Sequence, residues 1–117
     1  MRMWLCDPKI MCRKHLLGEH LEIHMFLGAL KQGKKIDGYL RNNLFQPTYL
    51  LLRHEELKDE MINRGYNHNS HMRIHECECI FGLPDEKRHW KIDKTKALRD
   101  LLDRCPECRQ RWSSHAM

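Results

Sequence analysis

The chain has 117 residues, with 21 Lys and Arg against 16 Asp and Glu, a formal net charge of +5. A hydrophobic fraction of 41% beside a charged fraction of 32% describes one small globular domain over residues 1–117 and excludes long disorder and collagen-like repeats. No apolar run reaches the about 20 residues of a membrane span, and Met1-Arg2-Met3-Trp4-Leu5-Cys6-Asp7-Pro8 lacks the apolar stretch of a signal peptide, so an intracellular, cytoplasmic chain with no membrane partner is expected.

Three helices are predicted in chain order, with no internal repeat between them. The first runs from about Met11 to Lys31 and stops before Gly33. The second opens at Pro47, a good first-turn residue, and ends at Gly65, with Leu50, His54, Leu57 and Met61 as its buried stripe. The third starts after the N-cap candidate Asp93 and carries Ala97, Leu98, Leu101, Leu102 and Cys105 until Pro106 disturbs it. Between Gly65 and Trp90 the chain reads as irregular connection. No clean alternating strand appears, so the fold class is all-α, a single domain of three main helices.

At about 100° per residue, Leu16, Ile23, Leu27 and Leu30 share one side of the first helix, and Leu17, Leu21, Met25 and Gly28 another. A helix apolar around so much of its circumference is expected to be central and mostly buried. The remaining sector holds His15, Glu19, Glu22, Phe26 and Ala29. An imidazole and two carboxylates on one narrow face should converge on a cleft or on a partner charge; the plainer reading is an exposed polar edge with His15 and Glu19 as an ordinary i,i+4 pair. His20 and His24 are also four residues apart, which one metal could bridge, but H-x-E-x-H is not the metalloprotease pattern. Both fall in the apolar sector, and packed histidines are the reading adopted.

An ordered series of short motifs carries a resemblance. It runs through Lys14-His15-Leu16-Leu17-Gly18-Glu19-His20-Leu21-Glu22, Phe26-Leu27-Gly28-Ala29 and Gly33-Lys34-Lys35-Ile36, then Pro47-Thr48-Tyr49 and Asn63-Arg64-Gly65-Tyr66-Asn67, and continues more weakly through Leu83-Pro84-Asp85-Glu86 and the third helix. With the short lead before the first helix, this resembles the pyrimidine-dimer DNA glycosylase/AP lyase family, the phage endonuclease V type.

The resemblance implies a small helical domain that acts on damaged duplex DNA as a monomer and needs no cofactor for catalysis. It implies that the nucleophile is the α-amine of the N-terminal residue and the key acid a glutamate of the first helix, here Glu22. An α-amine titrates near about 7.7–8.0, against about 10.4 for a lysine, so a fair fraction is a free nucleophile at neutral pH. Attack on the sugar carbon would form an imine and permit β-elimination of the 3′ phosphate. Arg2 is too bulky for the usual methionine removal, so Met1 is expected to stay and to supply the amine. Arg2, His15 and Glu19 match active-site neighbours in the family. Leu21 and Met25 stand where the family has DNA-contacting arginines. Arg13, Lys14, Lys34, Lys35, Arg99 and Arg104, with Arg2, and then Arg109 and Arg111, are the cations available instead. A sequence pI near 9.0 fits such a polyanion partner.

Six cysteines in a chain without a secretory signal are more readily thiols or metal ligands than disulfides. Cys105-Pro106-Glu107-Cys108 has the form of half a zinc knuckle. Cys77 and Cys79, or Cys12 and His15, could complete a structural zinc site; free buried thiols and a redox pair are the other readings. The same cysteines and the positive charge support a competing reading, a non-catalytic, zinc-stabilised basic module that binds nucleic acid.

Overall fold

The computed structural model describes residues 1–116. It is all-helical, and no strand forms among the described residues. The longest element, α1 (Arg13–Lys31), starts where the Cys12 side chain accepts from the His15 backbone N–H. It ends as Gly33 turns to a φ of +69°, a conformation glycine takes without strain. A short α2 (Asp37–Arg41) follows. A 3₁₀ turn at Pro47–Tyr49 leads into α3 (Leu50–Asn63), which packs along α1 and closes at Gly65 with a φ of +82°.

The core lies between α1 and α3. Leu16, Ile23, Phe26 and Leu27 of α1 and Leu50, Leu57 and Met61 of α3 are buried there. Phe26 stacks on Phe45 with centroids 4.1 Å apart and meets the Tyr39 ring edge-on at 5.2 Å. Truncating such a side chain to alanine costs about 3–5 kcal/mol. The second predicted helix is therefore present with its stripe buried as expected, its first turn being 3₁₀.

Three features differ from the sequence reading. Leu21 and Met25 are 61% and 48% exposed, because α3 and the Ile74–Gly82 segment cover only part of α1. Gly65–Trp90 is more ordered than an irregular link: Ile74–Gly82 forms successive 3₁₀ turns, and α4 (Asp85–Arg88) follows. After α5 (Lys94–Arg104), capped by Asp93 as predicted, Pro106 opens a further helix, α6 (Pro106–Ala116). Proline lacks only an N–H that a first-turn residue leaves unbonded anyway, so it starts one helix while ending another.

The lead before α1 has no sheet partner for its backbone, and arginines supply the donors its carbonyls need. Arg53 donates to the Cys6 carbonyl at 2.7 Å, and Arg64 to those of Pro8 and Met11 at 3.1 and 2.8 Å. Arg111 donates to the Lys9 carbonyl at 2.8 Å. Met3 donates its N–H to the Leu44 carbonyl at 2.7 Å, and Met3, Trp4 and Leu5 are buried. Leu5 holds a φ of +53°, a strained value for a branched side chain that these anchors maintain.

Candidate active site

The anchored lead brings the first residues of the chain over the polar face of α1. Met1, Arg2, Trp4, Lys14, His15, Gly18, Glu19, Glu22, Leu44 and Arg104 line one cleft of about 490 Å³. The Arg2 backbone N–H donates to Glu22 Oε2 at 3.1 Å. Glu22 is thus tied to the peptide unit that joins Met1 to Arg2. Gly18, one helical turn before Glu22, keeps that side of the helix low. The convergence predicted for His15, Glu19 and Glu22 is found, and Met1, Arg2, Lys14 and Arg104 join it.

Glu19 converges on a partner charge as well as on the cleft. Arg53 Nε and Nη2 reach its two carboxylate oxygens at 2.6 and 2.9 Å, and both side chains are buried. Burial alone would pull the Arg53 guanidinium down, but the Glu19 charge and its hydrogen bonds hold it above an arginine's ordinary value. With a third bond to Glu56 at 3.2 Å and the one to Cys6, Arg53 is saturated. Glu19 therefore braces the cleft floor rather than standing free in it.

Arg2 is arranged differently. Its guanidinium carbon lies 3.6 Å from the centre of the Trp4 ring, and Arg104 approaches the same ring at 5.6 Å. Its Nε and Nη2 are buried and have no hydrogen-bond partner among the described residues. Burial outweighs the attraction of Asp100 and, with the Arg104 charge, holds Arg2 below an arginine's ordinary value. The stacked guanidinium puts a positive charge in the cleft, where it attracts an incoming anion.

His15 stands edge-on to Trp4, ring centroids 5.8 Å apart, and its Nδ1 lies 3.2 Å from Cys12 Sγ and 3.7 Å from Cys108 Sγ. Burial, then Lys14 and Arg104, lower its pKa, so it is neutral near pH 7. Cys12, His15, Cys105 and Cys108 form a cluster able to hold a metal, with their ligand atoms within 4.8 Å of one another. Cys77 and Cys79 are not part of it. They sit in the Ile74–Gly82 turns that pack on α1 and α3, which removes them as the partners of Cys105 and Cys108.

The remaining cations are dispersed. Arg13 stacks on the Tyr66 ring at 4.6 Å, Lys34 and Lys35 are exposed past the far end of α1, and Arg99 is exposed on α5. Arg109 and Arg111 donate to backbone carbonyls of Leu102 and Lys9. His20 and His24 pack with His54, ring centroids 4.9 Å from it in each case, and His20 Nε2 lies 2.9 Å from His68 Nε2. Burial, then the imidazoles of His54, His24 and His68, push His20 down to about 4, and the ligand atoms of His20, His54 and His68 lie within 4.8 Å of one another, a second group able to hold a metal. Sequence reasoning missed Arg53, Trp4 and Leu44. Arg53 carried a signal: a charge three residues after Leu50 and four before Leu57 lies on the buried stripe and needs a buried partner.

The family model for pyrimidine dimer DNA glycosylases matches residues 1–74, the stretch that holds the lead, α1 and α3. The chain belongs to the pyrimidine dimer DNA glycosylase family. Membership makes it an enzyme of the DNA glycosylase class with DNA as its substrate. The matched stretch ends before Leu83-Pro84-Asp85-Glu86 and α5. No curated protein and no solved structure matches the chain. No helix among the described residues is long and apolar enough to cross a membrane.

Proposed function

We propose that this glycosylase is also an AP lyase, acting on pyrimidine dimers and abasic sites in duplex DNA through an imine on the α-amine of Met1. The observation that carries the reading is the 3.1 Å bond from Arg2 N–H to Glu22. It holds a carboxylate one peptide unit from the amine, in a cleft that both residues line.

The amine lone pair attacks C1′, and the glycosidic C1′–N bond breaks with the electron pair leaving on the base, which takes up a proton. Opening of the sugar ring at O4′, with proton transfer, gives the imine. Loss of a C2′ proton then expels the 3′ phosphate across the C2′–C3′ bond, and water hydrolyses the imine to return the amine. Glu22 moves the protons and steadies the cationic sugar. Arg2 supplies its positive charge to a phosphate beside the lesion, with Lys14 and Arg104 on the rim. Arg13, Lys34, Lys35 and Arg99 add sequence-independent, salt-sensitive attraction. Leu21 and Met25, exposed on the side of α1 next to Glu22, offer apolar surface to bases. In this reading the protein is a single domain that acts as a cytoplasmic monomer, and its catalysis uses no cofactor.

Borohydride trapping on a duplex with one abasic site tests the reading, using untagged protein whose retained Met1 has been verified by mass. The expected result is a covalent protein–DNA adduct that maps to Met1. Folded protein that binds the duplex and gives no adduct would overturn the lyase assignment. Base release from a dimer-containing duplex tests the lesion separately.

A further inference from the structure

We propose that Cys12, His15, Cys105 and Cys108 form a closed, tetrahedral zinc centre that fastens α5 and α6 onto the N-terminal end of α1 and so sets one wall of the cleft. The ligands come as two short pairs, Cys-x-x-His and Cys-x-x-Cys, each at the start of a helix. The turns are alike. His15 N–H donates to Cys12 Sγ at 3.4 Å, and Cys108 N–H donates to Cys105 Sγ at 3.4 Å. Cys12 N–H crosses to Cys108 Sγ at 3.2 Å. Backbone N–H groups aimed at sulfur, at the positive ends of two helices, stabilise thiolates and orient them as ligands.

The spacings fit one ion. Zinc–sulfur bonds of about 2.3 Å place two sulfurs of a tetrahedron about 3.8 Å apart. Cys105 and Cys12 Sγ are 3.8 Å apart. With a zinc–nitrogen bond of about 2.0–2.1 Å, the sulfur–nitrogen edge is about 3.5 Å. Nδ1 of His15 lies 3.2 Å from Cys12 Sγ and 3.7 Å from Cys108 Sγ. A disulfide would need about 2.0 Å and would leave a third buried thiol. Three thiols and an imidazole with no carboxylate select zinc over magnesium or calcium. Cys12, Cys105 and Cys108 are buried, and with four protein ligands no coordination position is left for a substrate, so the role is structural.

The placement explains how the unmatched part of the chain is joined to the matched part. Two ligands lie within residues 1–74 and two beyond. Arg104, next to Cys105, lines the cleft, so the ion would fix that guanidinium relative to Glu22. His15 would give Nδ1 to the metal, which removes that nitrogen from proton transfer.

Metal analysis of the untagged protein, purified without chelator, is the test. About one zinc per chain is expected, and less than about 0.2 would overturn the proposal. Cobalt(II) in place of zinc should show thiolate-to-metal charge-transfer absorption and the intense visible bands of a tetrahedral ion. Cobalt bound without the thiolate band would place the metal elsewhere, for example on the His20, His54 and His68 imidazoles, and overturn the proposal. Cys105→Ser with Cys108→Ser should lose the zinc; zinc retained at the wild-type level would also overturn it. His15→Cys should keep one zinc, since four thiolates are an ordinary structural set, and Cys77→Ser with Cys79→Ser should keep it too. None of these readouts depends on the lyase reaction, so the two proposals fail independently.

Discussion

Two arginine–glutamate pairs meet at the first helix, one beneath the cleft and one at its mouth, and they are built to opposite ends. Arg53 and Glu19 are fully buried and joined by two bonds of 2.6 and 2.9 Å. Arg2 and Glu22 meet only through the Arg2 backbone N–H, while the half-buried Arg2 side chain has two guanidinium nitrogens without a partner among the described residues. Both glutamates lie on the same helical sector three residues apart. Residue type and helical face therefore do not decide their roles. What decides is whether a second helix delivers a guanidinium to the carboxylate. Where it does, the pair is saturated and holds the fold. Where it does not, carboxylate and cation stay available to something that enters.

Glu22→Gln breaks the open pair with the largest expected effect. It keeps shape and the hydrogen bond from Arg2 but removes the charge and the proton exchange. Loss of general acid–base catalysis costs about 10²–10⁴-fold in rate. Single-turnover cleavage of an abasic duplex should fall by that factor, with duplex binding and unfolding midpoint near wild type. A rate within a few fold of wild type would take Glu22 out of the chemistry.

Arg53→Met breaks the closed pair. It strands a buried Glu19 carboxylate and removes the donor to Cys6. Removing one partner of a buried ion pair costs about 3–5 kcal/mol, which urea unfolding would report. Pairing it with Glu19→Met sharpens the comparison. Two apolar side chains should recover much of the loss, since the stranded charge is gone, though not the Cys6 contact. If the double variant is no better than the single one, Arg53 acts through the lead and not through Glu19.

The contrast between these pairs was only half legible in the sequence. The 100° periodicity of α1 isolates His15, Glu19 and Glu22 on one face, because spacing along a helix is local information. The guanidinium that separates Glu19 from Glu22 lies 34 residues on, and only tertiary packing brings it there. The same holds for the cysteines. Cys105-Pro106-Glu107-Cys108 announces half a site, but nothing local chooses between Cys12 with His15 and Cys77 with Cys79. The exposure of Leu21 and Met25 was misjudged because an apolar sector shows what a helix can bury, not how many neighbours come to cover it. The helix after Pro106 was missed for a different reason: its mostly exposed, polar residues give no apolar stripe to read, and it is held by the buried Cys108 and by the Arg111 bond to the lead.

Arg2→Gln gives the smallest effect and the sharpest sign. In the free protein two Arg2 guanidinium nitrogens are desolvated without hydrogen bonds, which offsets the gain from stacking on Trp4. Its replacement should leave the unfolding free energy unchanged or raise it. In the complex the Arg2 charge would face a phosphate, so in the variant duplex affinity should fall, and the slope of log K against log salt should become shallower by about 1. The two changes run in opposite directions, which a structural arginine cannot produce: Arg53→Met should lower stability with no specific change in salt slope. Titration of a duplex at several salt concentrations, beside urea unfolding of the same preparation, separates the cases. If Arg2→Gln lowers stability and leaves the salt slope unchanged, Arg2 is a second brace like Arg53, and the mouth of the cleft has no phosphate site there.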